Sequence, residues 1–277
     1  MAATPSPRVR WLLHLGLGAW LLLGCLPVLW MLVISLREYV NAFSSPVQWW
    51  APVTFENYRR LWLDEGFARN FLNTAIVTAS VVTVSLTVGC LAGYAFSRYR
   101  GSLGFWLLLL ALAFRAIPHS TLLPSFFTMF DALGIRNTTF ALVLVLVAIN
   151  QPFTIWMLRS FFMHIPAELD EAAQVDGCTR GQAFRRVIVP VMWPGIVTTG
   201  LFSFLLAYND FLLSSALTNA ENMTMPAAIA NAINAESEAL LMQGVAGAVS
   251  ITLPLILLVA FFQKQIVSGL TQGAVKG

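Results

Sequence analysis

The residues in this chain that could do chemistry are few, and most of them lack the spacing that chemistry requires. The three histidines, His14, His119 and His164, and the three cysteines, Cys25, Cys90 and Cys178, show no metal-ligand or redox spacing. A phosphate-binding loop ends its glycine-rich turn on a lysine, and the only lysines, Lys264 and Lys276, fit no such loop. The chain is therefore not expected to hydrolyse ATP, and energy for any active process must come from a partner. What remains is a polar island at 164–190. Glu168, Asp170, Glu171 and Asp176 come first, and Arg180, Arg185 and Arg186 follow. Its residue types suit recognition of another surface.

The elements that position this island can be read from it directly. Pro166 suits a first helical turn, where its missing N–H costs nothing. Glu168, Asp170 and Glu171 then fall near the positive end of the helix dipole. Leu169, Ala172 and Ala173 are expected on one side, as a small-residue face. Gly177 stands where a helix would close on a left-handed residue. Thr179 and Gln182 have capping-box spacing, so a second helix begins there. Arg185 and Arg186 load its last turn, and Pro190 is expected to stop it. The sequence thus specifies helix, tight turn, helix: a compact elbow smooth enough to enter a groove. The same residues also fit an amphipathic connector lying on a membrane surface.

The rest of the chain is apolar. Of 277 residues 58% are hydrophobic and only 10% charged, with a mean hydropathy of +0.74. A soluble domain carries about 25% charged residues, so the composition indicates a multi-pass membrane protein. The net charge of +3 does not signal nucleic-acid binding, because the basic residues cluster beside apolar segments, as they do in inner-membrane proteins. A bilayer core of ~30 Å needs about 20 apolar helical residues. Stretches at 11–36, 71–96, 105–127, 140–158, 192–213 and 240–262 qualify. The first is read as a retained helix and not a signal peptide, given its length and lack of a small-residue cleavage site.

Charge sets the orientation. With the N-terminus inside, Arg8, Arg10, Arg98, Arg100, Arg159, Arg180, Arg185, Arg186, Lys264 and Lys276 are cytosolic. Arg37, Arg59, Arg60, Arg69 and Arg136 are external. This bias places both termini in the cytosol. The fold expected is all-α, a single membrane domain over 1–277 with six transmembrane helices.

Polar residues inside the spans are pathway candidates. Arg115 lies mid-span and is expected to face the bundle interior, a water-filled cavity or a polar partner such as Asn150 or Gln151, with backbone carbonyls freed by Pro118 and Pro124 as further acceptors. Asn150-Gln151-Pro152 interrupts the fourth span. Tyr208, Asn209 and Asp210 lie toward the external end of the fifth. Each is also compatible with plain packing. Gly89 and Gly93 form a small-xxx-small pair that allows close helix approach.

The series Glu171-Ala172-Ala173, Gly177, then Val187, Val189 and Pro190 closely resembles the EAA loop of permeases in bacterial ABC importers. Val187 and Val189 stand where Ile and Leu are usual. Phe161-Phe162, Ile165-Pro166, Asp176-Gly177 and Pro194-Gly195 are similar to the MalG-like carbohydrate branch. So are Arg115-x-x-Pro118 and Tyr208-Asn209-Asp210-Phe211, the latter with Tyr replacing Trp. The resemblance runs from about Asn57 to the C-terminus. It implies the type I importer permease fold in a bacterial plasma membrane. The 164–190 loop, through Glu171, Ala172, Ala173, Asp176, Gly177, Arg180, Val187, Val189 and Pro190, would couple to the ATPase. It further implies two ATP-binding subunits that hold ATP and Mg2+, no cofactor on this chain, and a second related permease, favouring a heterodimer. An extracytoplasmic solute-binding protein would deliver a sugar and contact the 218–240 loop. Two alternatives stay open: a permease for a non-sugar solute, and an ion-gradient-driven transporter. For the second, Asp210 is the only acid near a span interior.

Overall fold

The computed structural model describes residues 7–46, 48–99 and 101–274. Arg100 and Lys276, counted above among the cytosolic basic residues, lie outside them. Among the described residues there are helices and no strand. In chain order they are α1 (Pro7–Ser35), α2 (Tyr39–Ala42), α3 (Glu56–Arg59), α4 (Phe67–Arg98), α5 (Leu103–Arg115), α6 (His119–Leu133) and α7 (Thr139–Met163). Then come α8 (Glu168–Val175), α9 (Arg180–Ala183), α10 (Val189–Val191), α11 (Trp193–Tyr208), α12 (Leu212–Leu217), α13 (Met225–Ile233) and α14 (Glu238–Ala274). Wide π-helical turns follow α3 at Arg60–Asp64 and α9 at Phe184–Ile188. Contacts divide the chain into two compact units, Met1–Phe67 with Ile229–Pro254, and Ala68–Ala228 with Leu255–Gly277.

Among the described residues, four helices are long and apolar enough to cross a bilayer: Val9–Ser35, Phe67–Arg98, Thr139–Met163 and Glu238–Gln265. The count reaches six if each of two bent pairs forms one span. The expected helix at 105–127 is one of those pairs, since α5 and α6 meet at 93°. Pro118 is the cause. It has no N–H to continue the ladder, and it disfavours helical geometry at the residue before it. The chain instead closes α5 with short bonds, Ala116 N–H to the Ala113 carbonyl at 3.0 Å and Ile117 N–H to that of Phe114 at 3.2 Å.

The second bent pair moves another expected boundary. Pro190 does not stop the elbow helix but lies inside α10, and the chain turns by 76° two residues later, at Met192. The π-turn at Phe184–Ile188 explains the tolerance. The Val189 N–H reaches back five residues to the Phe184 carbonyl, which widens the helix where a proline ring would strike the preceding turn. The break comes where Pro194, in the first turn of α11, has no N–H to offer the Pro190 carbonyl. At its other end α11 stops at Tyr208, short of the expected residue 213.

In the first unit, α1 is apolar beyond Arg8, Arg10 and His14 near its start, and its most hydrophobic window buries nothing within the chain. Its last carbonyls are met from α3. Asn57 Nδ2 donates to the carbonyls of Ser35 at 2.9 Å and Arg37 at 2.8 Å, and Tyr58 Oη lies 2.7 Å from Ser35 Oγ. In α14, Gly244 and Gly247 make room for Ile233 and Ile229, where a Cβ would stand 2.7 and 2.9 Å from the nearest isoleucine atoms.

The second unit is built on α4 against α7. A Cβ at Gly93 would lie 3.0 Å from the Arg159 backbone nitrogen and 3.1 Å from Leu158 Cβ. One at Gly89 would lie 2.8 Å from Thr154. The small-xxx-small pair therefore does bring two helices into contact. A core of Val77, Val81, Phe130, Leu142, Leu146 and Leu213 extends this seam across α6 and α12. Replacing Gly93 with Val should force the helices apart and cost about 1–3 kcal/mol, the range for overpacking a tight core. Thermal unfolding of the purified chain in mild detergent should show a lower midpoint for Gly93→Val and a smaller drop for Gly93→Ala.

Candidate functional site

The elbow forms as its residues dictate. α8 starts after Pro166, whose carbonyl accepts the Leu169 N–H at 3.3 Å. It ends in a two-bond closure, with Cys178 N–H donating to the Ala173 carbonyl at 2.9 Å and Gly177 N–H to that of Gln174 at 3.1 Å. This closure needs a left-handed residue, and Gly177 supplies it at φ +88°. α9 opens on a capping box: Thr179 Oγ1 accepts the Gln182 N–H, and Gln182 Oε1 accepts the Thr179 N–H at 2.9 Å. Both arms are thus closed by local bonds, and the turn between them is stiff.

The two faces of α8 differ. Leu169, Asp170 and Ala173 turn inward, Leu169 onto a cluster of Leu158, Phe162, Ile165, Ile188 and Met192. Leu169, Ala172 and Ala173 are expected on one small-residue face; the structure splits them, with Ala173 buried and Ala172 exposed on the side of Glu171. The outer face carries Glu171, Ala172, Val175, Asp176 and Gly177. Val175 is 87% exposed at the tip of the arm, a position the sequence did not single out. On the second arm Arg180 and Pro190 are exposed, while Val187 and Val189 are half-buried, Val187 against the inner cluster. Thr179, Gly181, Gln182, Arg185 and Arg186 line an open concavity of about 630 Å3 there.

The least legible part of the site is its attachment. Asp170 had been read only as a charge near a helix dipole, yet it is 9% exposed and gripped from α4. Arg98 Nε donates to its Oδ2 at 2.8 Å and Tyr94 Oη to its Oδ1 at 2.7 Å. Arg98 Nη1 also donates to the carbonyls of Ile165 at 3.0 Å and Phe162 at 3.3 Å, beyond and at the end of α7. Arg159 of α7 returns the contact to the Phe96 carbonyl at 3.4 Å. Each helix thus receives a cation from its neighbour at its negative end. The Tyr94 ring packs against Phe162 and Phe184, at 5.7 and 4.8 Å between centroids, and those two rings touch each other at 6.3 Å. The only advance signal for this arrangement was an arginine at the end of an apolar span.

The polar residues of the spans do not gather into one site. Arg115 lies over the ring of Phe153, 4.7 Å from its centroid, and not on Asn150 or Gln151; a cation over an aromatic face is a good partner in apolar surroundings. Asn150 is buried at 3% exposure, and Gln151 Nε2 donates to the Ser85 carbonyl at 3.3 Å. Next to them Thr154 and Ser203 share a hydrogen bond of 3.2 Å between α7 and α11. Tyr208 is buried and stacked on Phe204 at 5.0 Å. Asn209 Nδ2 donates to the Leu205 carbonyl at 2.9 Å. Asp210 Oδ1 accepts the N–H groups of Leu213 at 3.1 Å and Ser214 at 3.3 Å, which fixes the start of α12.

At the other end of α4, Asn70 and Asn73 donate to the Met223 carbonyl at 2.9 and 3.1 Å, and Asn73 also to that of Glu221 at 2.8 Å. Thr74 Oγ1 accepts the Met225 N–H at 2.8 Å. These bonds hold the first half of the 218–240 connection to α4.

Residues 85–272 match the family of binding-protein-dependent transport system inner membrane components. The chain is 36% identical to the trehalose transport system permease protein SugB of Mycobacterium tuberculosis, over 91% of its own length and 92% of the relative's. It is 34% identical to the trehalose/maltose transport system permease protein MalG of Thermococcus litoralis, over 97% of each chain. In fold it is similar to a chain of a bacterial ABC transporter involved in the import of the polysaccharide alginate. That similarity has a TM-score of 0.76 at 23% identity and covers 95% of this chain and 99% of the other.

The closure of the elbow can be tested apart from any function. Thr179→Ala removes one side of the capping box and should cost about 1 kcal/mol locally. Amide hydrogen exchange of residues 180–183 should rise roughly fivefold, with exchange in α4 and α7 unchanged.

Proposed function

This chain belongs to the family of binding-protein-dependent transport system inner membrane components, and on that premise we propose that it is the permease subunit of an ATP-driven importer for a sugar or oligosaccharide. The sugar assignment is supported by relatives named for trehalose and maltose transport. The proposed architecture is one membrane domain with six spans and both termini cytosolic: α1, α4, α5 with α6, α7, α11 and α14. The excess of basic residues on the segments it places inside supports this topology.

In this reading the elbow is the coupling element. Two ATP-binding subunits, which hold ATP and its Mg2+ ion, close on binding nucleotide and move the elbow of each permease. A second, related permease completes the pair, and an extracytoplasmic binding protein presents the solute near the 218–240 connection. The observation that carries the proposal is the division of α8 into two faces. Its inner face is fixed to α4 through Asp170, while Glu171, Ala172, Val175 and Asp176 are exposed on a stiff arm. Small and acidic side chains beside Val175 leave this exposed face low enough to enter a groove on a partner. Arg180 extends the docking surface onto the second arm, and Val187, Val189 and Pro190 shape its base. Arg115, Asn150, Gln151, Tyr208, Asn209 and Asp210 are proposed to border the solute path, the buried ones by fixing the helices that line it.

The test is transport in proteoliposomes holding the whole complex. Glu171→Lys reverses a charge on the exposed face, and Gly177→Val strains a residue held at positive φ. Each should reduce uptake at least tenfold while the chain remains in the membrane. Bulky replacements at both positions that leave uptake intact would show that the elbow does not couple. Collapsing ion gradients at constant ATP should leave uptake unchanged; loss of uptake would favour an ion-driven carrier.

A further inference from the structure

We propose that Tyr94, Arg98 and Asp170 form the joint that passes movement of the elbow into the membrane helices; this rests on the coupling reading above. Two contacts make Tyr94 the meeting point of the elbow's arms. Its hydroxyl donates to Asp170 of the first arm, and its ring packs on Phe184, in the π-turn of the second. Arg98 adds a third element. One guanidinium holds the Asp170 carboxylate and the carbonyls of Phe162 and Ile165, so the arm cannot move relative to α4 without also disturbing the end of α7.

The chemistry suits a joint that carries tension and compression. The ion pair is largely shielded, with side-chain exposures of 22% for Arg98 and 12% for Asp170. In such surroundings, separating the partners leaves a charge without compensation, a far steeper penalty than sliding two apolar faces. The inner apolar contacts of α8 set its position, and the ion pair makes that position stiff. α4 is the member through which displacement can travel. It runs unbroken for 32 residues, about 48 Å at 1.5 Å per residue. At its far end Asn70, Asn73 and Thr74 hold residues 221–225. A pull on Asp170 is thereby delivered to the opposite end of the same rod. Asp170 and Arg98 are positioning residues in this scheme, since neither lies on the exposed face of the elbow.

The experiment uses the complete complex in proteoliposomes and measures solute taken up per ATP hydrolysed, together with the amount of ATPase subunit that copurifies. Asp170→Asn keeps the shape and loses the charge. It should lower the transport-to-hydrolysis ratio at least tenfold with the ATPase subunit still bound in normal amount. Arg98→Gln should do the same, and the double variant should be no worse than the more severe single one, because both single variants remove the same ion pair. Where either variant fails to assemble, Tyr94→Phe decides. It retains the ring against Phe162 and Phe184, removes only the hydroxyl, and should lower the ratio at least threefold. A ratio within twofold of the parent in the assembled variants overturns the joint, as do effects that multiply in the double variant. Glu171→Lys, run in parallel, separates the two proposals. If it uncouples and Asp170→Asn does not, the joint alone fails. If Glu171→Lys stays coupled, the elbow reading fails, and the joint fails with it.

Discussion

Two helices packed this closely leave little room between them, and here that constraint falls on α4 at Gly93, against the α7 backbone, and at Gly89, against the Thr154 and Leu158 side chains. The contact determines what their ends can reach. Because the helices lie so close at Arg159 and Gly93, Arg98 of one reaches the last carbonyls of the other, and Arg159 reaches back. The two arginines satisfy carbonyls that a helix terminus otherwise leaves without donors. Once Arg98 is fixed there, its Nε directs where a carboxylate can stand, and Asp170 stands there. The placement of the elbow is thus a consequence of two glycines more than 70 residues before it in the chain. Larger residues at those glycines would change the elbow without touching it.

The same structure explains how α8 can serve two surfaces within eight residues. Asp170 and Glu171 are chemically near-identical neighbours separated by about 100° around the helix, and that angle decides their environments. One is enclosed by a hydroxyl and a guanidinium; the other is exposed. Ala172 and Ala173 divide in the same way. A short helix with its core contacts on one side and its exposed acids and Val175 on the other needs no conformational change to meet a partner.

Much of this was legible in the sequence because it depends on near neighbours. The glycine closure at Gly177, the Thr179–Gln182 box and the close-packing pair Gly89 and Gly93 each follow from residue type at short spacing. The missed features depend on what the chain meets at a distance. Asp170 and Arg98 are 72 residues apart, so nothing local distinguishes that aspartate from Glu168 or Glu171. For Arg115 the sequence leaves the bundle interior, a cavity and an amide partner open, and the helix turn that brings it near α7 presents the face of Phe153. Three prolines had comparable local claims to break a helix. Pro118 does so, Pro190 is absorbed by a wide turn, and Pro194 moves the break to Met192. Which outcome applies is decided by the hydrogen bonds of the preceding turn, and single-residue propensity does not report on those.

The π-turn at Phe184–Ile188 has a consequence for the phase of the chain. Each residue advances a helix by about 100°, so a turn that takes in one residue more than usual resets the direction of everything beyond it. Ile188 and Met192 both face the inner cluster across this turn, while Pro190 and Val191 face out. Removing one residue between 184 and 188 would restore a regular screw and swing the start of α11 away from its neighbours by the same angle. The number of residues separating Gly177 from Pro190 is therefore a rotational setting, and its fixity is a matter of angle before it is one of composition.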